Sequence, residues 1–117
     1  MPRVFHILPR VDWQQALQCG SYAPASLSRE GFIHCSTSAQ VLDTAHRWYR
    51  GRPDLLLLEI DVHRLTAPLR HEPPVNSTDE RRAQLFPHLY GPLNLDAVAA
   101  IFEFPCQPDG SFRLPGA

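Results

Sequence analysis

Three histidines stand on segments that otherwise exclude polar groups. His6 interrupts the apolar run Val4–Leu8, His34 interrupts Gly31–Cys35, and His88 sits among the aromatics and prolines of Phe86-Pro87-His88-Leu89-Tyr90-Gly91-Pro92. Burying an imidazole costs stability unless its nitrogens find partners, so each ring is either a satisfied core residue or part of a site. Imidazole can move protons near neutral pH, contact a phosphate or ligate a metal. Convergence of the three rings in one cleft would permit a zinc-dependent hydrolase, with His6, His34 and His88 as ligands and the fourth position open. His46, His63 and His71 lie in polar surroundings and are expected at the surface.

Next to the second histidine, His34-Cys35-Ser36-Thr37-Ser38 runs from a strand end into a helix start. Free amides and the helix dipole there suit a phosphate or carboxylate, although plain capping by Ser36 or Thr37 uses the same groups. Cys35 has a nucleophile's neighbours in that helix end and His34, but strand alternation sends adjacent side chains to opposite faces, which argues against it. Glu59 and Asp61 share one face at period two, either as site carboxylates or because the strand emerges into solvent there. Tyr90 can stack on a flat ligand ring or simply pack its loop.

Elements to position these groups follow from periodicity and punctuation. Val4–Leu8 is a strand closed by Pro9, and Asp12–Cys19 is a helix with Trp13, Ala16 and Leu17 at helical spacing and Gly20 as a left-handed stop. Gly31–Cys35 is a second strand. A helix is expected from near Thr37, with Thr37 and Gln40 as a capping box, Val41, Leu42, Ala45, Trp48 and Tyr49 as its apolar stripe, and Gly51 as its end. Leu55–Asp61 is a central strand buried on both faces. A short strand near Pro68–Glu72 precedes a polar loop, residues 76–84, placed to act as a lid. Phe86–Pro92 suits a rigid loop more than a regular element. Residues 96–104 form a last strand, turned by Pro108-Asp109-Gly110 into a hairpin with Ser111–Leu114.

The chain of 117 residues, 44% hydrophobic and 20% charged, fits one domain over 1–117 with a packed core. Eleven basic residues against twelve acidic ones give a net charge of −1, too balanced for bulk nucleic-acid binding. Every basic residue is arginine, so Schiff-base chemistry is excluded. The first residues lack a signal sequence's apolar region and no run approaches a membrane span, so a cytoplasmic protein without a membrane partner is expected. Cys19, Cys35 and Cys106 are odd in number and lack CxxC spacing, which favours reduced thiols.

Phe5-His6-Ile7, Gly31-Phe32-Ile33-His34-Cys35-Ser36-Thr37, Trp48-Tyr49-Arg50-Gly51, Leu57–Asp61 and Phe86–Leu93 occur in an order and spacing that resembles a bacterial family, domain of unknown function 952. That family looks like a compact relative of the ADP-ribosyltransferase fold. The resemblance implies an α+β protein, with a small mixed β-sheet core and two main helices, that takes an NAD-like, ADP-ribosylated or phosphorylated nucleotide. By position, His6 would bind ribose or phosphate, and His34 with Ser36 and Thr37 would line the pocket. His34 and His88 are the candidate catalytic residues, His88 as general acid/base or phosphate ligand, and Tyr90 would stack on the ring. NAD is the expected substrate, no metal is expected, and the implied activity is that of a transferase or phosphotransferase. The late-strand glutamate that usually completes the site of those transferases has no clear counterpart. A binding module without turnover would use the same pocket.

Overall fold

The computed structural model describes residues 2–74 and 84–115. Its core is an antiparallel sheet of β1 (Arg3–Pro9), β4 (Leu55–Asp61) and β8 (Val98–Glu103), in the order β1-β4-β8. Strand alternation divides β4 between two apolar clusters. Leu56, Leu58 and Ile60 pack with Val4, Leu8 and Trp13 on one side, and Leu55 and Leu57 with Ile7, Val41, Ala45 and Phe104 on the other. Burying each such side chain contributes about 1.5–3 kcal/mol, so the unbroken leucine run places β4 at the centre.

Helix α1 (Arg10–Cys19) covers the first side through Trp13 and Ala16 and stops at Gly20, whose φ of 85° and amide bond to the Ala16 carbonyl are those of a left-handed cap. Helix α3 (Val41–Trp48) covers the second through Val41 and Ala45. Between them lie two elements the sequence does not announce, β2 (Ser21–Tyr22) and the six-residue helix α2 (Ala25–Glu30). A second three-stranded sheet joins β3 (Ile33–His34), β6 (Phe86–Leu89) and β5 (Leu69–Glu72) in the order β3-β6-β5, and β2 pairs with β7 (Leu93–Asn94).

The α+β class expected from the sequence holds, with α1 and α3 as its longer helices. The sheet differs from expectation: in place of one mixed sheet there are, among the described residues, three pieces, all paired antiparallel. Phe86–Leu89 is a strand and not a rigid loop: Pro87 stands opposite Cys35 where the short β3 ends, and its carbonyl accepts from the Cys35 amide at 3.0 Å although proline can return no bond. Helix α3 begins at Val41, not near Thr37; Gln40 Oε1 accepts the Thr37 amide at 3.0 Å, so half of the capping box forms ahead of the helix. Its apolar stripe ends early, with Trp48 72% exposed and Tyr49 packed against the core in its stead. Ser111–Leu114 forms no strand; Phe112 instead folds back to stack on Phe104, ring centroids 5.0 Å apart. His46, expected in polar surroundings, is half-buried and accepts the Phe112 amide at 2.9 Å. The expected lid at residues 76–84 falls, but for Gln84, outside the described residues. Among the described residues no helix is long and apolar enough to cross a membrane.

Candidate functional site

The β3–β6–β5 sheet turns Ile33, Cys35 and Leu89 towards the main core, so its other face carries the alternate residues. His34 lies directly opposite His88, and His88 directly opposite Arg70, which sets three polar side chains in one row across three strands. Two residues away, the same alternation brings in Phe32 and Tyr90 on one side of the row and Glu72 on the other.

Contacts within this face are specific. The His88 ring, 2% exposed, lies flat against Phe32 with centroids 4.0 Å apart, and its Nδ1 is 2.9 Å from Glu72 Oε1. The Tyr90 hydroxyl donates to the same oxygen at 2.5 Å. Glu72 is held below its ordinary carboxylate value first by the Tyr90 hydroxyl and then by His88, and the same bond pushes Tyr90 up. Arg70 lies over the Tyr90 ring, 4.8 Å from its centroid, so a guanidinium occupies a face of the ring expected to stack on ligand. His34 has its Nε2 3.0 Å from Glu30 Oε1, and its half-exposed ring meets His88 edge-on with centroids 5.8 Å apart.

His6 belongs behind this face, not on it. Its Nδ1 is 2.6 Å from the His34 carbonyl and its Nε2 2.8 Å from the Tyr22 hydroxyl. A carbonyl only accepts, so Nδ1 carries the hydrogen and Nε2 accepts from Tyr22. Burial pushes the imidazole down to about 4 and the Tyr22 phenol up, which keeps both neutral. The first strand thus supports the backbone of the second at the residue that presents His34.

Ser36 and Thr37 also turn elsewhere. Ser36 Oγ is 3.2 Å from Thr44 Oγ1 of α3, its amide donates to the Phe5 carbonyl at 2.8 Å, and the Thr37 amide is held by Gln40. Those amides are therefore already bonded and supply no anion cradle. Cys35 is buried, with its thiol pushed up to about 12, which removes the thiolate a nucleophile needs. Glu59 and Asp61 lie 3.5 and 3.6 Å from Arg3 on the core sheet, away from the row. Both nitrogens of His6 being engaged, the three histidines do not form a metal site; among the described residues no group of three His, Cys, Asp or Glu side chains is arranged to hold an ion.

Of the residues singled out in the sequence, the structure brings together His34, His88 and Tyr90. Arg70, Glu72, Glu30 and Phe32 join them unannounced. The signal for Arg70 and Glu72 was the weak strand Pro68–Glu72, and period two in Phe86, His88 and Tyr90 would have marked β6 as the strand facing it.

Residues 7–101 match the model of a family described as protein of unknown function (DUF952). The chain belongs to this family. The DUF952 chain also resembles protein CC0527 from Caulobacter crescentus. Its crystal structure is 31% identical with a TM-score of 0.83, covering 97% of this chain and 95% of that one. The solution structure is 31% identical with a TM-score of 0.78, covering 95% and 91%. A crystal structure of a double mutant of CC0527 is 30% identical with a TM-score of 0.83, covering 97% and 95%. No curated protein matches this DUF952 chain.

Proposed function

We propose that the outer face of the β3–β6–β5 sheet binds a small anionic ligand of the nucleotide type: NAD, ADP-ribose or a 2′-phosphorylated nucleotide. The observation that carries this is the row His34–His88–Arg70, in register across three strands. Neighbouring strands lie about 4.8 Å apart, so the outer members stand roughly 10 Å apart, a span that one phosphoryl group can bridge through hydrogen bonds to both. Arg70 supplies the fixed positive charge a chain without lysine needs, and His34 the second contact. His88, held by Glu72 and backed by the buried Phe32, forms the floor, and the face of Tyr90 away from Arg70 is the surface offered to a ring. The resemblance to ADP-ribosyltransferase-like proteins supports a nucleotide over other anions.

Calorimetric titration of the three compounds at moderate salt tests the reading. At least one should bind, and Arg70→Gln should weaken it about tenfold or more, since a charge-assisted hydrogen bond contributes about 1.5–3 kcal/mol. If none binds at millimolar concentration while a neutral compound does, the assignment fails.

A further inference from the structure

Two carboxylates on this face hold imidazoles. Glu30 Oε1 lies 3.0 Å from His34 Nε2, and Glu72 Oε1 lies 2.9 Å from His88 Nδ1. A carboxylate accepts from an N–H, so His34 is held with its hydrogen on Nε2 and His88 with its hydrogen on Nδ1. The opposite nitrogens, Nδ1 of His34 and Nε2 of His88, are left for proton transfer. The rings are edge-on at 5.8 Å, close enough for one phosphoryl group to lie against both, with Arg70 in register beside His88. Carboxylates spent on orienting imidazoles suit proton transfer at phosphorus better than stabilisation of a ribosyl cation.

Resting on the binding face above, we propose that His34 and His88 are a general acid and base pair that cleaves a ribonucleotide phosphodiester by attack of its neighbouring 2′-hydroxyl. His88 Nε2 takes the proton of the 2′-hydroxyl as the bond from O2′ to phosphorus forms. The bond from phosphorus to O5′ breaks, and protonated His34 gives its Nδ1 proton to the departing oxygen. The products are a 2′,3′-cyclic phosphate and a 5′-hydroxyl, and no co-reactant is consumed. His34, half-exposed, regains its proton from solvent, to which His88 returns the one it took. Arg70 meets the charge that grows on the phosphoryl oxygens. Glu72 is a positioning residue that keeps the lone pair of His88 on Nε2. The near-neutral net charge fits a substrate of dinucleotide size more than a long strand.

Uridylyl-3′,5′-adenosine serves as substrate, and its 2′-deoxy counterpart, which cannot react this way, as the binding probe. The cyclic phosphate should accumulate with a bell-shaped dependence of kcat on pH. His34→Gln and His88→Asn should each lower kcat by about 10²–10⁴-fold, a loss far larger than the accompanying loss of affinity for the deoxy probe. Glu72→Gln should shift one limb of the pH profile, which a merely structural role would not do. Should His88→Asn fail to fold, His34→Gln decides alone, because its side chain is half-exposed. Binding of the probe without any cyclic product overturns the acid–base pair and leaves the binding face intact. Equal turnover by His34→Gln also overturns the pair. Failure of the probe and of the three nucleotides above to bind overturns both.

Discussion

His6 ties acid sensitivity to one buried ring. The imidazole is pushed down to about 4 from 6.5 by burial, against a hydrogen bond to the His34 carbonyl that works the other way. Its folded value lies below its unfolded one, so on acidification the unfolded chain takes up the proton first. The stability contributed by neutral His6 is therefore complete above pH 6.5 and is lost progressively as pH falls to about 4. At roughly 1.4 kcal/mol per unit, the loss over that window is about 3 kcal/mol. Urea unfolding of the wild type and His6→Asn, repeated across this window, isolates the effect, since every other titrating group is common to both. The variant should start less stable near neutrality, and the gap should close by about 3 kcal/mol towards the acid end. Parallel curves would refute the assignment of a neutral, doubly bonded ring.

Tyr22→Phe should cost about 1–3 kcal/mol in the same assay, because it strands His6 Nε2 in the core without a donor. Leu57→Ala, in the middle of β4, should cost about 2–5 kcal/mol in chemical unfolding and leave nucleotide affinity unchanged. His34→Ala should do the reverse, weakening calorimetric binding with a melting temperature close to wild type. Gly91→Ala should cost about 1–3 kcal/mol, since a Cβ there would stand 2.7 Å from the Ala67 Cβ; thermal unfolding reads it, and an unchanged melt would show that the two loops can part.

Much of the scaffold was legible in the residues. The leucine run of β4, the Trp13 and Ala16 spacing of α1 and the Gly20 stop are local signals whose physics the fold keeps. β3 is the middle of the strand expected at Gly31–Cys35, whereas β2, of two residues, has no period to read, and α2 lies in a stretch with no apolar stripe. Phe86–Leu89 was hidden by Pro87, since proline argues against a strand, and only the pairing partners show that its carbonyl still bonds the Cys35 amide while the bond its N–H would have made is lost where β3 ends. The candidate site was half visible for the same reason. Histidines on apolar segments stand out, whereas Arg70, Glu72 and Glu30 look like ordinary surface charge until strand register sets them beside His88 and His34. His6 shows the opposite error, in which a conspicuous residue serves as a buttress. Only the directions of its two hydrogen bonds, to a backbone carbonyl and a buried phenol, separate that role from a place in the site.

The short stretch Ile33–Ser36 answers to two sheets at once. Ile33 and His34 pair with Leu89 and His88, while Ser36 exchanges two 2.8 Å backbone bonds with Phe5 of the core sheet. Because side chains change face at every residue, the spacing between these pairings works like a reading frame. One residue added or removed between His34 and Ser36, with the Ser36 pairing kept and the strand unbroken, would slip the pairing with β6 by one, turn His34 into the core and bring its apolar neighbour out in its place. The segment is thus more sensitive to a change of length by one than to substitution at its outward positions, a constraint that its composition does not display.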